Sequence, residues 1–339
     1  MLLIMYTAVN AIAPVILMIL LGYYLKRVGF LTPQFTQTAS KLVFHVCIPA
    51  MLFVNIYDID GLSGINWSAG IYSVSAALLI FVLGLITSVL VTRVPKRRGV
   101  VLQCTFRSNF AIIGLPLASA LGGSAAVAVA AIISAVSIPV FNVLAVISLT
   151  MFLEKKSGEG KIKTVLRNIA KNPLILGVCA GLASLAIREM QIRLFFDVVF
   201  SVKTDAKMVY TVLNHLKNMT TPLSLIVLGS QFEFSAVKGM GKEIVVATLW
   251  RTVLTPLIGL GGAIVLSNAG VLSFGYAEYP ALIALFASPV AVSSAIMAES
   301  MDNDGQLAAQ LVVWTSIVSI ITIFTMSCGL MYFGYLPIL

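Results

Sequence analysis

Long apolar runs, broken by short clusters of charge or of Gly, Pro and Asn, make up almost the whole chain. They fall at about 6–25, 36–56, 67–92, 100–121 and 124–153, then 173–188, 208–231, 242–267, 277–298 and 305–333. Most approach the roughly 20 residues that a helix needs to cross hydrocarbon. The pattern therefore predicts an all-α integral membrane protein of ten transmembrane helices. The sixth run is short. The stretch Arg188–Lys207 after it mixes charge with Phe and Val and reads as a connection lying at the interface, too charged to span.

Composition agrees. Of 339 residues, 59% are hydrophobic and 10% charged, where a soluble globular chain carries about 25% charged residues. So few charges cannot cover a water-soluble surface, and mean hydropathy is +1.02. The net charge of +9 would suit nucleic acid if it were concentrated on one face. It is instead spread over many short loops, so the expected partner is the lipid bilayer and no nucleic acid. Cys47, Cys104, Cys179 and Cys328 lie in apolar runs with no Cys-x-x-Cys pair, which reads as small buried hydrophobes. No basic stretch and cleavage site marks the first run as a signal peptide, so it is expected to remain as a helix.

Lys and Arg set the orientation. The loops after the first, third, fifth and seventh runs, counted with Lys41 and Lys242 at the near ends of the following runs, hold fifteen of them, among them Arg93, Lys96, Arg97, Arg98 and six between Lys155 and Lys171. The alternate loops, counted with Arg188 and Lys217 in the runs that flank them, hold only those two and Arg193, Lys203 and Lys207. The first set is expected in the cytoplasm, with both termini outside a cell membrane crossed many times. Pro49 and Pro222 are 173 residues apart, as are Pro116 and Pro289. That offset pairs the second run of each half, and the fourth of each half. A repeat of five spans is odd-numbered, so its copies insert in opposite senses, as in many secondary transporters. The expected organisation is a five-helix repeat over 1–153, a cytoplasmic linker over 154–172, and an inverted repeat over 173–339.

Arg107-Ser108-Asn109-Phe110-Ala111-Ile112-Ile113-Gly114-Leu115-Pro116 places Arg, Asn, Gly and Pro in one apolar run. Proline lacks an N–H and crowds the carbonyl four residues back, so a break is expected near Gly114–Pro116. The counterpart in the second half is Ser288-Pro289-Val290, followed by Ser293 and Ser294. Irregular backbone at membrane depth survives only where it is buried or lines a polar cavity. Two half-helix N-termini meeting there would offer free N–H groups and partial positive charge to a carboxylate. The competing reading is a pair of proline kinks satisfied by Ser side chains. The expected substrate-binding set is Asn109, Gly114, Pro116, Ser288, Pro289, Val290 and Asn142. Arg107, about 13 Å before Pro116 at 1.5 Å per residue, and Arg251 are expected along an anion pathway, with snorkelling to the cytoplasmic face as the rival for each. His45 is the candidate for proton coupling, against a packed hydrogen-bond partner. Glu299, Asp302 and Asp304 read as caps of the next helix.

These segments resemble the auxin efflux carrier family, which includes plant auxin carriers and bacterial malate and malonate permeases. The resemblance runs nearly end to end, through Lys41-Leu42-Val43-Phe44-His45-Val46-Cys47-Ile48-Pro49, Arg107 to Leu117, Pro139-Val140-Phe141-Asn142, Lys171-Asn172-Pro173, Thr221-Pro222-Leu223-Ser224 and Ala287-Ser288-Pro289. It implies a fold similar to bile acid sodium symporters, with two inverted five-helix repeats and broken, crossed fourth and ninth helices. It also implies a carboxylate bound at the crossing near Asn109, and a homodimer. The short 154–172 segment resembles the bacterial members. The expected function is a secondary transporter of a small organic anion, a mono- or dicarboxylate, working by alternating access. A membrane sensor or channel is the alternative. An intramembrane enzyme is disfavoured, because no His-Glu-x-x-His or Asp-rich metal motif is present; no cofactor or metal is expected.

Overall fold

The computed structural model describes residues 2–58, 67–153, 171–195, 198–232 and 234–336. The predicted linker, apart from Lys171 and Asn172, lies outside the described residues. The helices are α1 (Leu2–Arg27), α2 (Pro33–Leu42), α3 (Ile48–Tyr57), α4 (Trp67–Val91), α5 (Pro95–Phe106), α6 (Leu115–Met151) and α7 (Pro173–Phe195). They continue as α8 (Lys207–Gln231), α9 (Gly241–Leu249), α10 (Thr255–Asn268), α11 (Glu278–Ala287), α12 (Ser293–Ser300) and α13 (Gly305–Tyr332). Among the described residues the one β contact is an isolated antiparallel bridge between Ser108 and Val290.

Among the described residues, six helical segments are long and apolar enough to cross a membrane: Pro33–Tyr57, Trp67–Val91, Ile112–Met151, Pro173–Phe195, Gly241–Asn268 and Gly305–Tyr332. Their surfaces are inverted relative to soluble helices. On α4, Ile71, Leu79, Val82, Ile86 and Leu90 are exposed, while Ser73, Ala76, Ala77, Gly84 and Ser88 are buried. Small residues let backbones approach closely where hydrocarbon outside offers no hydrophobic drive to pack. At Gly84 an added Cβ would collide with the Thr105 side chain.

Among the described residues three turns are of the wide π type: Val43–Cys47, Phe110–Gly114 and Trp250–Leu254. Each precedes a proline at the second position of the next helix, Pro49, Pro116 and Pro256. A proline cannot bond the carbonyl four residues back and crowds it. The residue before it bonds five back instead: Ile48 to Val43, Leu115 to Phe110, Thr255 to Trp250. Gly123, at φ 62 and ψ −154, interrupts α6 between the predicted fourth and fifth runs.

The helices pack as two groups. One joins α1, α2–α3, α7 and α8; the other joins α4, α5, α6, α9–α10, α11, α12 and α13. Fewer contacts join the groups, chiefly α1 against α13 and α6. Two expectations are corrected. Helix α7 runs on to Phe195, so the charged stretch after residue 188 begins as helix. Cys47 and Cys104 are buried, but Cys179 is exposed and Cys328 partly so; all four are free thiols.

Candidate functional site

The chain unwinds at two places, and they lie against each other. Helix α5 ends at Phe106, leaving Arg107 extended (φ −79, ψ 108) and Asn109 at φ −81, ψ 44. Helix α11 ends at Ala287, leaving Ser288 extended (φ −62, ψ 147) before α12 starts at Ser293. The Asn109 N–H donates to the Pro289 carbonyl at 2.8 Å, and the Ala291 N–H to the Arg107 carbonyl at 3.3 Å. Buried backbone groups must find partners, and each unwound stretch supplies them to the other. Pro289, which has no N–H, contributes only its carbonyl.

The first break therefore lies at Arg107–Asn109, not at Gly114–Pro116. The proline there is absorbed by the π turn, so the backbone stays helical through it. Gly114 serves close packing: an added Cβ would meet the Ala284 carbonyl at 2.8 Å.

The unwound stretches leave the C-terminal carbonyls of α5 and α11 without helical partners. Arg251, in the π turn between α9 and α10, is fully buried and supplies them. Its Nε and Nη2 donate to the Ser288 carbonyl at 2.8 and 2.7 Å, Nη2 also to Leu285 at 3.0 Å, and Nη1 to Phe106 at 3.2 Å. One cation thus caps the negative ends of two helices.

On the other side of the breaks a cavity of about 70 Å³ lies between the two helix groups. Met51, Leu52, Asn55, Thr220, Thr221 and Ser224 line it from α3 and α8. Arg107, Ser108, Asn109, Phe110, Ile138, Asn142 and Ser293 line it from the other group. At roughly 10–15 Å³ per water on this measure, it has room for a few waters or the carboxylate end of a small acid. Arg107 is 4% exposed. Its Nη2 donates to Asn142 Oδ1 at 3.0 Å and Ser293 Oγ at 2.9 Å, and its Nη1 contacts the Met297 sulfur. All three acceptors are neutral, and among the described residues no carboxylate lines the cavity. The Asn109 Nδ2 is buried with no acceptor among the described residues.

Of the expected site residues, the structure brings Arg107, Asn109 and Asn142 together. Arg107 sits at the break itself, not a helix length away from it. Gly114, Pro116, Ser288, Pro289 and Val290 do not line the cavity. The N–H of Val290 is taken by Thr315 Oγ1 at 3.2 Å, and the Ser288 hydroxyl donates to the Ala284 carbonyl. Arg251 is committed to backbone carbonyls away from the cavity. His45 is exposed, bonds the Lys41 carbonyl at 3.0 Å through Nδ1, and lines a separate apolar groove with Phe53, Leu176 and Leu213. Asp304 caps α13 as expected, accepting from Leu307 N–H, whereas Glu299 bonds elsewhere. Ser293, Asn55, Thr220, Thr221 and Ser224 were not expected at the site. The offset that paired Pro222 with Pro49 was a signal for Thr220 and Thr221, since it singled out their helix.

A multi-helix apolar chain whose unwound segments flank an internal cavity lined in part by Arg107, Asn109 and Asn142 has the make-up of a membrane transport protein. Residues 7–327 match the profile of the membrane transport protein family. The chain belongs to this family, that of the auxin efflux carriers. It is 24% identical over 328 residues to an uncharacterized transporter of Methanothermobacter thermautotrophicus, covering 93% of this chain and 95% of that one. It is 20% identical over 317 residues to an uncharacterized transporter of Methanocaldococcus jannaschii, covering 91% and 94%. The protein is a transporter and not an enzyme, and it implies a small-molecule substrate and a lipid environment.

Proposed function

We propose that this chain is a secondary carrier of a small organic anion, of the mono- or dicarboxylate class, whose carboxylate binds Arg107 and Asn109 in the cavity between the helix groups. The observation that carries this reading is the charge balance of the cavity. Among the described residues a buried guanidinium meets only neutral acceptors, and an amide donor beside it has none. Burying a charge is costly unless it is paired, and an anionic substrate completes both groups. The apolar lining from Met51, Leu52, Phe110 and Ile138 suits a short hydrocarbon portion.

The reading extends to ten spans in two inverted five-helix halves, alternating access, both termini outside the cell membrane, and a homodimer. Two features support the inverted halves. Both breaks fall in the fourth predicted span of their half. Each half also gives its first two spans to one helix group and its last three to the other. Binding of a panel of labelled mono- and dicarboxylates to purified protein, followed by uptake into proteoliposomes, tests the carrier. Saturable binding that Arg107→Leu removes is expected. Preference for cations or neutral solutes overturns the reading. Labelling of a cysteine at residue 160 from outside intact cells overturns the topology.

A further inference from the structure

The wall of the cavity that does not carry the charge is polar in its own right. Asn55 near the end of α3 and Thr221 midway along α8 line it from the other helix group. Both are half-buried, and neither side chain bonds a partner among the described residues. Beside them, the Thr220 hydroxyl donates to the carbonyls of Cys47 and Leu216 at 3.0 and 2.8 Å, and the Ser224 hydroxyl to the Thr220 carbonyl at 2.6 Å. Those hydrogens are taken by the backbone, so Thr220 and Ser224 present only lone pairs to the cavity. Asn55 and Thr221 keep donors and acceptors alike.

Charge and hydrogens together decide what such a wall can hold. A second carboxylate would bring another negative charge, while Arg107 is the one cation among the described residues that line the cavity. Its oxygens only accept, so the lone pairs of Thr220 and Ser224 would face it unmatched. A buried charge without an opposite one is costly. A methyl group would displace water from Asn55 and Thr221 without reproducing its hydrogen bonds, which loses affinity. A hydroxyl carries no charge and both donates and accepts. It can bond Asn55 or Thr221 in either sense, or give its hydrogen to Thr220 or Ser224. The volume agrees: about 70 Å³, at roughly 10–15 Å³ for each water-sized centre, admits about five to seven non-hydrogen atoms. That is a carboxylate with two further carbons and a hydroxyl.

We propose that the substrate is a short hydroxy-monocarboxylate, held by its carboxylate on Arg107 and Asn109 and by its hydroxyl on Asn55 and Thr221. The proposal rests on the anion reading of the cavity and narrows it to one negative charge and one neutral hydrogen-bonding group. Asn55 and Thr221 belong to the helix group of α3 and α8, Arg107 and Asn109 to the other. The substrate therefore bridges the two groups, and its hydroxyl is read on the wall that does not hold the charge.

Titration of purified protein in lipid nanodiscs at pH 7.5 tests this, with propanoate, 2-hydroxypropanoate, 3-hydroxypropanoate and malonate as probes. At least one hydroxy acid should bind about three- to tenfold more tightly than propanoate, the worth of a neutral hydrogen bond. Malonate should bind more weakly than that hydroxy acid. Asn55→Leu combined with Thr221→Val should bring the preference for the hydroxyl below about twofold without weakening propanoate. The ratio of two ligands is the readout, so a general loss of folded protein does not imitate the result. If the double variant does not fold, Thr221→Val alone decides, and the preference must fall. Equal binding of propanoate and both hydroxy acids overturns the proposal and leaves the anion reading standing. A preference that the variant keeps in full does the same, as does malonate bound more tightly than either hydroxy acid. Binding of none of the four probes also overturns the proposal. Propanoate bound by Arg107→Leu as by wild type overturns the anion reading itself, and the proposal with it.

Discussion

Arg107 and Arg251 stand on opposite sides of the same unwound backbone, both buried, and their surroundings assign them opposite work. Arg251 donates to three main-chain carbonyls belonging to the ends of two helices. Every partner is part of the fold, and four of its five N–H donors are taken. Arg107 donates to two side chains that line a cavity and touches a thioether. A buried charge completed by the backbone is a structural cap; one left with weak neutral partners at a cavity is a binding group. Depth in an apolar span does not separate the two roles, whereas the list of acceptors does.

The comparison breaks most visibly at Arg251. Arg251→Leu removes a charge and leaves carbonyls of Phe106, Leu285 and Ser288 buried without that donor. The loss should be about 3–5 kcal/mol of stability, read as a lower melting temperature and less monodisperse protein in size-exclusion chromatography. Arg251→Lys should recover only part, since a single ammonium cannot reproduce the fork of donors. A stable, monodisperse Arg251→Leu protein would contradict the capping role.

Arg107 should give the reverse pattern. Arg107→Leu should weaken binding of the anion by about 2–5 kcal/mol and leave melting nearly unchanged. Asn142→Asp sharpens the contrast, because it places a carboxylate 3.0 Å from the guanidinium and so fills the substrate's role from within. It should abolish binding, while the new ion pair with Arg107 offsets the lost bond from Asn142 Nδ2 to the Ile138 carbonyl and keeps the protein folded. If Asn142→Asp binds the anion as wild type does, Arg107 is not the anchor. Asn109→Ala should cost about 1–3 kcal/mol of binding, measured by titration calorimetry on folded protein.

The arginines also mark what could be read in the chain. Runs of apolar residues placed the helices well, because hydrocarbon demands length and apolarity and tolerates little else. A meeting of two breaks was anticipated between Pro116 and Pro289, since Pro and Asn cannot sit cheaply in a lipid-facing helix; the residue that meets Pro289 is Asn109. The position of the break was not legible. Proline announces a disturbance, but whether it breaks the helix or widens one turn depends on what carbonyls find nearby. At Pro116 a π turn resolved it, and the unwinding moved to Arg107, where the second half supplies partners. Arg251 read as a pathway charge because sequence gives depth and not neighbours. Glu299 looked like a cap because it precedes a helix, while its real partners are 259 and 68 residues away.

The smallest expected effect is at Ser293, and it isolates what a neutral group adds beside the charge. Its hydroxyl accepts from Arg107 at 2.9 Å and so keeps its own hydrogen free to donate. A bound carboxylate could take that hydrogen and the guanidinium's together. Ser293→Ala removes one neutral hydrogen bond to the substrate, worth about 0.5–1.5 kcal/mol, or roughly two- to tenfold in Kd. Arg107 loses an acceptor in the same step, but the anion replaces it, so the bound state should not lose more than this. Changing a neutral group leaves the field of the site intact. The dependence of Kd on ionic strength should therefore match wild type in Ser293→Ala and flatten in Arg107→Leu, where the attracting charge is gone. Calorimetric titrations at two salt concentrations measure both. A Ser293→Ala loss as large as that of Arg107→Leu would show that Ser293 holds the arginine in place and that the two residues act as one unit.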